Sequence, residues 1–124
     1  MELFNKTQYE RLIKNGSEDC RGEDHHPVVK LFLTNSACTW LLTELDPEQP
    51  DIAFGLCDLG MGFPELGYVS IDEIKAAQGF LRLLERDKSF SGDYPISVYA
   101  RAARRAEHIV TDQASLQLSV KPQP

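Results

Sequence analysis

Short apolar segments separated by turn residues dominate the middle of the chain. Each is rich in β-branched and aromatic residues and is bounded by Gly, Pro, Asn, Asp or Ser, which is typical of β-strands. We predict four strands, at residues 28–33, 37–45, 52–59 and 66–69, and a further strand or a helical turn at residues 80–84. Because the connecting turn signals are short, we expect neighbouring strands to pair in an antiparallel sheet.

Capping signals and helical periodicity predict three helices around these strands. The first covers residues 5–16, where Asn5 or Thr7 is a candidate cap. The second begins with a capping box formed by Ser70 and Glu73. The third begins at Pro95 and carries a regular apolar face.

These elements predict an α+β fold, with a four- to five-stranded, mostly antiparallel sheet and two or three helices packed on one face. Residues 1–108 are expected to form a single domain, since 124 residues is an ordinary size for one domain. Residues 109–124 are expected to form a C-terminal tail or an edge strand, because apolar residues alternate with polar ones near the end of the chain.

The sequence shows neither a membrane helix nor a secretion signal. Its longest unbroken apolar runs, at residues 31–33 and 40–42, are far shorter than the roughly 20 residues that a membrane helix needs. The three cysteines, Cys20, Cys38 and Cys57, form no CxxC pair, and their odd number fits a reducing compartment. We therefore expect a cytoplasmic protein without membrane partners, whose thiols act as small core residues.

The net charge of −6 is unevenly distributed along the chain. Residues 31–74 contain eight acidic residues and no Lys or Arg, whereas residues 75–124 carry a net positive charge. Such a segment produces a negative field that repels nucleic acid and attracts basic surfaces. Direct binding of DNA or RNA is not expected, because phosphate neutralisation needs Lys and Arg. The alternative is that the basic C-terminal part folds over the acidic segment and neutralises it.

Six carboxylates of this segment form the candidate partner-binding set. Glu44, Asp46 and Glu48 are two residues apart, so on an extended chain they share one face at intervals of about 6.6 Å. The other three are Asp51, Asp58 and Glu65. A regular row of charges resembles a nucleic-acid backbone and favours fast, salt-sensitive binding to a basic cleft. A merely solubilising acidic surface is the alternative.

Residues 23–26 and Cys57 offer catalytic chemistry as a different interpretation. The sequence Glu-Asp-His-His supplies carboxylate and imidazole ligands for a divalent metal, which Asp58 would complete. This alternative is a small metal-dependent hydrolase or other enzyme that uses Asp24, His25 and Asp58. Against it, neighbouring residues of an extended loop point to opposite sides, and Cys57 lies in an apolar strand without a nearby cation. We therefore expect no cofactor.

Two further patterns have simple structural interpretations. Gly60 and Gly62 lack the frame of a phosphate-binding loop, so they are predicted to form a turn with positive φ. Arg101, Arg104 and Arg105 share one side of the last predicted helix. They either contact an anionic partner or form an ordinary exposed face.

Beyond these patterns, four stretches resemble a bacterial family known only as a domain of unknown function. They read PVVKLF at 27–32, TWLLTELDP at 39–47, DIAFGLCDLGMG at 51–62 and PELGYVS at 64–70. ERD at 85–87 and SVYA at 97–100 fit the same pattern, so the resemblance covers residues 3–106. It implies a small protein encoded on plasmids and integrating elements, a setting in which small acidic proteins often counter host defences. It implies no particular activity.

The sequence favours a non-enzymatic acidic interaction protein of a mobile element. Its expected partner is the basic nucleic-acid-binding surface of a host defence or DNA-processing protein, blocked by nucleic-acid mimicry of the anti-restriction or anti-CRISPR type. The metal-dependent hydrolase is the first alternative. A structural partner of another plasmid protein is the second, and it predicts an exposed hydrophobic patch instead of an acidic one.

Overall fold

The computed structural model describes residues 3–120. This part of the chain contains five strands and four helices. The strands are β1 (Val29–Leu33), β2 (Thr39–Leu45), β3 (Ile52–Asp58), β4 (Glu65–Ser70) and β5 (Leu84–Arg86). The helices are α1 (Lys6–Asn15), α2 (Ile71–Ala76), α3 (Ile96–Ala106) and α4 (Gln113–Gln117). Neighbouring strands are antiparallel in the order β4-β3-β2-β1-β5, so β4 and β5 are the two edges. None of the helices in this range is long and apolar enough to cross a membrane.

Helices cover both faces of the sheet. Consecutive residues of β2 point to opposite sides of it. Leu42 lies in a core with Leu12 of α1 and Ile74 of α2, whereas Leu41 lies in a second core with α3 and with Leu116 of α4. Each large side chain buried in these cores stabilises the fold by about 1.5–3 kcal/mol. The turns at the ends of the sheet lie outside this helical cover, whereas the edge strands are partly covered: Leu84 of β5 is buried, and Val69 of β4 packs against the core of α1 and α2.

The sequence around α1 explains how that helix is placed on the sheet. The Asn5 side chain accepts a hydrogen bond from the Gln8 N–H at 2.7 Å, and the Gln8 side chain accepts one from the Asn5 N–H at 2.9 Å, which completes a capping box. Gly16 follows the helix where the chain meets β2, and a Cβ there would lie only 1.9 Å from the Leu45 carbonyl oxygen. Glycine therefore allows the two backbones to approach this closely.

The α+β class and the five-stranded antiparallel sheet are confirmed. The helices, however, pack on both faces and not on one.

Of the two alternatives for residues 109–124, a tail or an edge strand, the edge strand is wrong for residues 113–117, which form α4. The Asp112 carboxylate accepts a hydrogen bond from the Ser115 N–H at 2.9 Å and caps the helix. Leu116 is buried against α3 while Leu118 is exposed, so the alternating pattern does not correspond to one buried face of a strand. The last four residues of the expected tail lie outside the described residues.

Candidate functional site

Carboxylates from two elements meet at one end of the sheet, where the β2–β3 turn lies beside the start of α2. Asp51 joins the two elements: its Oδ1 accepts a hydrogen bond from the Asp72 N–H at 2.8 Å, and its Oδ2 accepts one from Ser70 Oγ at 2.5 Å. In the turn itself, Asp46 Oδ1 accepts a hydrogen bond from the Glu48 N–H at 2.9 Å. The five carboxylates at this place, here named the acidic end, are Asp46, Glu48, Asp51, Asp72 and Glu73.

The acidic end takes part in no ion pair within the described range. Two hydrogen bonds lower the pKa of Asp51, because both favour the charged carboxylate. The bond from the Ser70 hydroxyl has the larger effect, and the bond from the Asp72 N–H has the smaller one. Lys75, further along α2, has a smaller effect in the same direction. The salt bridge found in residues 3–120 joins Lys30 and Asp87 at 3.4 Å, on β1 and just after β5. The charge of the acidic end is therefore left facing solvent.

Two of the six predicted contact residues are buried, and for them the expected exposure is wrong. Asp58 is 2% exposed, and its two oxygens accept hydrogen bonds from the Gly60 N–H at 2.8 Å and the Ile109 N–H at 2.9 Å. Glu44 is 9% exposed; burial raises its pKa, an effect that nearby His25 partly offsets. These two carboxylates face the interior and not a partner.

Glu65 lies at the opposite end of the sheet from the acidic end. It begins β4, whereas Ser70, at the other end of the same strand, adjoins Asp51; the five residue steps between them span about 17 Å. Glu65 is exposed and lines a recess of about 610 Å³ together with Arg104 and Glu107. The predicted row is thus divided, and α2 supplies two carboxylates, Asp72 and Glu73, from outside the six predicted contact residues.

Two arginines of α3 bind the chain itself and do not neutralise the acidic end. Arg101 donates from Nε to the Ser119 carbonyl at 2.9 Å and from Nη2 to the Val120 carbonyl at 2.8 Å. Arg105 donates from Nη2 to the Leu118 carbonyl at 3.4 Å. All three carbonyls belong to the residues that follow α4, so the two arginines hold this segment against α3.

The residues of the hydrolase alternative are not brought together. The Asp24 carboxylate accepts hydrogen bonds from the Ser97 N–H at 3.0 Å and from Ser97 Oγ at 2.5 Å, and thereby caps α3. His25 Nε2 is hydrogen-bonded to the Cys20 carbonyl at 2.8 Å. Asp58, at the end of β3, already accepts hydrogen bonds from the Gly60 and Ile109 N–H groups. Within residues 3–120, no three potential metal ligands form a cluster.

Cys57 has the environment of a core thiol. Its side chain packs against the core shared by α1 and α2. Burial raises the pKa of this thiol to about 11. Because the nucleophile in cysteine chemistry is the thiolate, a thiol with this pKa is unreactive at neutral pH. The environment of Cys57 does not favour a role as a nucleophile.

A row of exposed apolar side chains lies along the β3–β4 hairpin, a patch of the kind that the second alternative predicts but at a position that the sequence did not indicate. Phe63 is 79% exposed and Tyr68 is 76% exposed. The others are Leu59, Met61 and Leu66. Gly60 and Gly62 have φ values of 80° and 86°, which confirms the predicted glycine turn. The available signal was the alternation of glycine with large apolar residues at 59–63, because exposed turns usually carry polar residues.

A comparison with protein families identifies the chain over most of its length. The model of a family described as "Protein of unknown function (DUF2958)" matches residues 3–110. No curated protein and no solved structure is significantly similar to the chain. The match agrees with the resemblance carried by the strand sequences, and the chain therefore belongs to the DUF2958 family.

Proposed function

We propose that this protein is a non-enzymatic interaction protein that presents its acidic end to the basic nucleic-acid-binding surface of a partner. The observation that carries the proposal is the acidic end itself, where five carboxylates gather at the β2–β3 turn and the start of α2 without an ion pair in residues 3–120. Like charges held this close repel one another and destabilise the folded chain. A cationic partner relieves that repulsion.

The geometry of the acidic end suits a binding surface. Asp46 and Asp51 are fixed by hydrogen bonds to the backbone, so little side-chain entropy is lost when a partner binds them. Glu48, Asp72 and Glu73 are exposed and free to meet Lys or Arg. Attraction between such a surface and a basic cleft raises the association rate and makes it sensitive to salt.

The proposed partner follows from this charge and from the setting that the family resemblance implies. A surface that binds nucleic acid is rich in Lys and Arg because it must neutralise phosphates. On a mobile element, the relevant proteins with such surfaces are host defence or DNA-processing proteins. The protein then acts by occupying the surface, in the manner of anti-restriction or anti-CRISPR inhibitors, and needs no catalytic group.

The test compares two variants with equal charge change. Glu48→Lys with Glu73→Lys alters the acidic end, and Glu10→Lys with Glu107→Lys alters exposed glutamates elsewhere. Wild-type protein is used to capture partners from a bacterial lysate at low and high salt, and each captured protein is purified. Its affinity for the three forms is measured by interferometry across a salt series, with duplex DNA as competitor.

We expect a captured nucleic-acid-binding protein whose affinity falls at least about tenfold for the acidic-end variant and hardly changes for the control. Duplex DNA should displace the wild-type protein. Equal affinity for the two variants, or binding that DNA does not affect, would contradict the proposal.

A further inference from the structure

β4 is an open edge with few of the features that normally prevent pairing. Among residues 3–120 no strand lies on its outer side, and its register with β3 is regular, without a bulge. Its six residues include no Lys and no Pro. Edge strands of natural proteins usually carry such features, because an unprotected edge pairs with other chains. Leu66 and Tyr68 add exposed apolar surface to this edge.

We propose that β4 pairs with β4 of a second copy of this chain, around a two-fold axis that passes through Gly67. In this antiparallel register, Leu66 of each copy lies opposite Tyr68 of the other, on the side of the sheet that α3 covers. Glu65 lies opposite Val69 on the other side. Aromatic residues paired with aliphatic ones stabilise neighbouring strands. The facing residues supply about four to six main-chain hydrogen bonds.

The distribution of charge fits a second copy in this orientation. Antiparallel pairing places the acidic end of one copy, next to Ser70, beside the opposite end of the other copy. That end is less acidic, because Arg104 shares a recess with its two carboxylates, Glu65 and Glu107. The one charge on β4 itself, at Glu65, faces Val69 and not another carboxylate. A parallel pair would instead bring two acidic ends together, which repulsion disfavours.

The two-fold axis at Gly67 makes the proposal directly testable. A Cβ added at Gly67 meets no atom of the described residues within 4 Å, so a side chain fits there without disturbing the single chain. In the proposed pair, however, the two new side chains would face each other across the axis. Gly79, in the turn before β5, is equally open and provides a matched control near the other edge.

The experiment is sedimentation velocity on the full chain over a wide range of concentrations. Wild-type protein should form a dimer whose fraction rises with concentration. Gly67→Lys should raise the dissociation constant at least about tenfold, because two ammonium groups meet at the axis. Gly67→Thr should lower the constant, since facing β-branched residues favour the pair. Gly79→Lys should behave as wild type.

A wild-type chain that stays monomeric at every concentration overturns the proposal, as does a dimer that Gly67→Lys leaves unchanged. Thermal melting checks that each variant is folded. Should Gly67→Lys fail to fold, Tyr68→Lys replaces it, because that side chain is exposed and its charge would meet the apolar Leu66 of the other copy. The acidic end stays intact in all these variants, so the outcome does not depend on the proposed function.

Discussion

The carboxylate of Asp24 caps α3 through Ser97, a residue 73 positions further along the chain. It accepts hydrogen bonds from both the N–H and the hydroxyl of Ser97, and the neighbouring His25 carbonyl accepts one from the Ile96 N–H at 2.8 Å. The residue at the N-cap position itself, Pro95, offers no side-chain acceptor. The polar loop before β1 is therefore part of the framework of the fold.

Removing the Asp24 cap should destabilise the protein while leaving the acidic end unchanged. Asp24→Ala deprives the first turn of α3 of its acceptor, and we expect the free energy of unfolding to fall by about 1–2 kcal/mol. Urea denaturation measures the loss. Glu23→Ala removes the adjacent exposed carboxylate and serves as the control, with a change below about 0.5 kcal/mol. Equal losses in the two variants would show that the cap contributes nothing.

Asp58 should matter for stability because it satisfies two backbone N–H groups. In Asp58→Ala, the N–H groups of Gly60 and Ile109 lose their acceptors, and we expect a loss of about 2–4 kcal/mol. Asp58→Asn keeps one acceptor oxygen and should lose less. Denaturant titration of both variants shows which of them has the lower free energy of unfolding. If Asp58→Asn were as stable as wild type yet lost partner binding, the side chain would have a functional role that its burial argues against.

Glu44 should make the protein less stable as the pH rises. Its pKa in the folded chain lies above the ordinary value of 4.5, mainly because of burial. Between the unfolded and folded values the folded chain binds more protons, so its stability falls as pH increases through that window. Glu44→Gln removes this dependence. The stability of the variant relative to wild type should therefore increase from about pH 4 to about pH 7, measured by denaturation at each pH.

If the stability difference between Glu44→Gln and wild type did not vary with pH, ionisation of Glu44 would not destabilise the folded chain.

Gly55 and Gly67 are paired across β3 and β4 but should respond oppositely to an added methyl group. A Cβ at Gly55 would lie 2.0 Å from the Leu41 carbonyl oxygen, whereas one at Gly67 meets nothing within 4 Å in the described part of the chain. We expect Gly55→Ala to lose about 1–3 kcal/mol of stability and Gly67→Ala to lose none. Thermal unfolding at low protein concentration measures both. Similar melting temperatures would contradict the close approach of β2 and β3 at Gly55.

Much of the fold could be predicted from local sequence. The strands are short apolar segments between strong turn signals, and the α1 cap follows from Asn5 and Gln8, three residues apart. The last element was misinterpreted because the spacing of Leu116 and Leu118 suits a strand, whereas contact with α3 decides in favour of a helix. The local signal for the helix, Asp112 three residues before Ser115, competes with that alternation.

The candidate site was harder to predict, because exposure depends on tertiary structure. Nothing near Asp58 in the sequence indicates that Ile109 would donate a hydrogen bond to it, 51 residues away. Equally, the spacing of Asp51 and Asp72 does not show that a hydrogen bond joins them. The sequence identified an acidic segment, and only the fold determines which of its carboxylates reach solvent together.

Helices on both sides of the sheet restrict where this protein can evolve new contacts. Substitutions in the strand centres disturb one of two cores, so variation that preserves folding is expected on the outer faces of the helices and at the rim of the sheet. At these positions, the charge of a turn or the apolar residues of an edge strand can change with little effect on the two cores. Changes at these places can therefore alter the surface of this protein while its central framework stays the same.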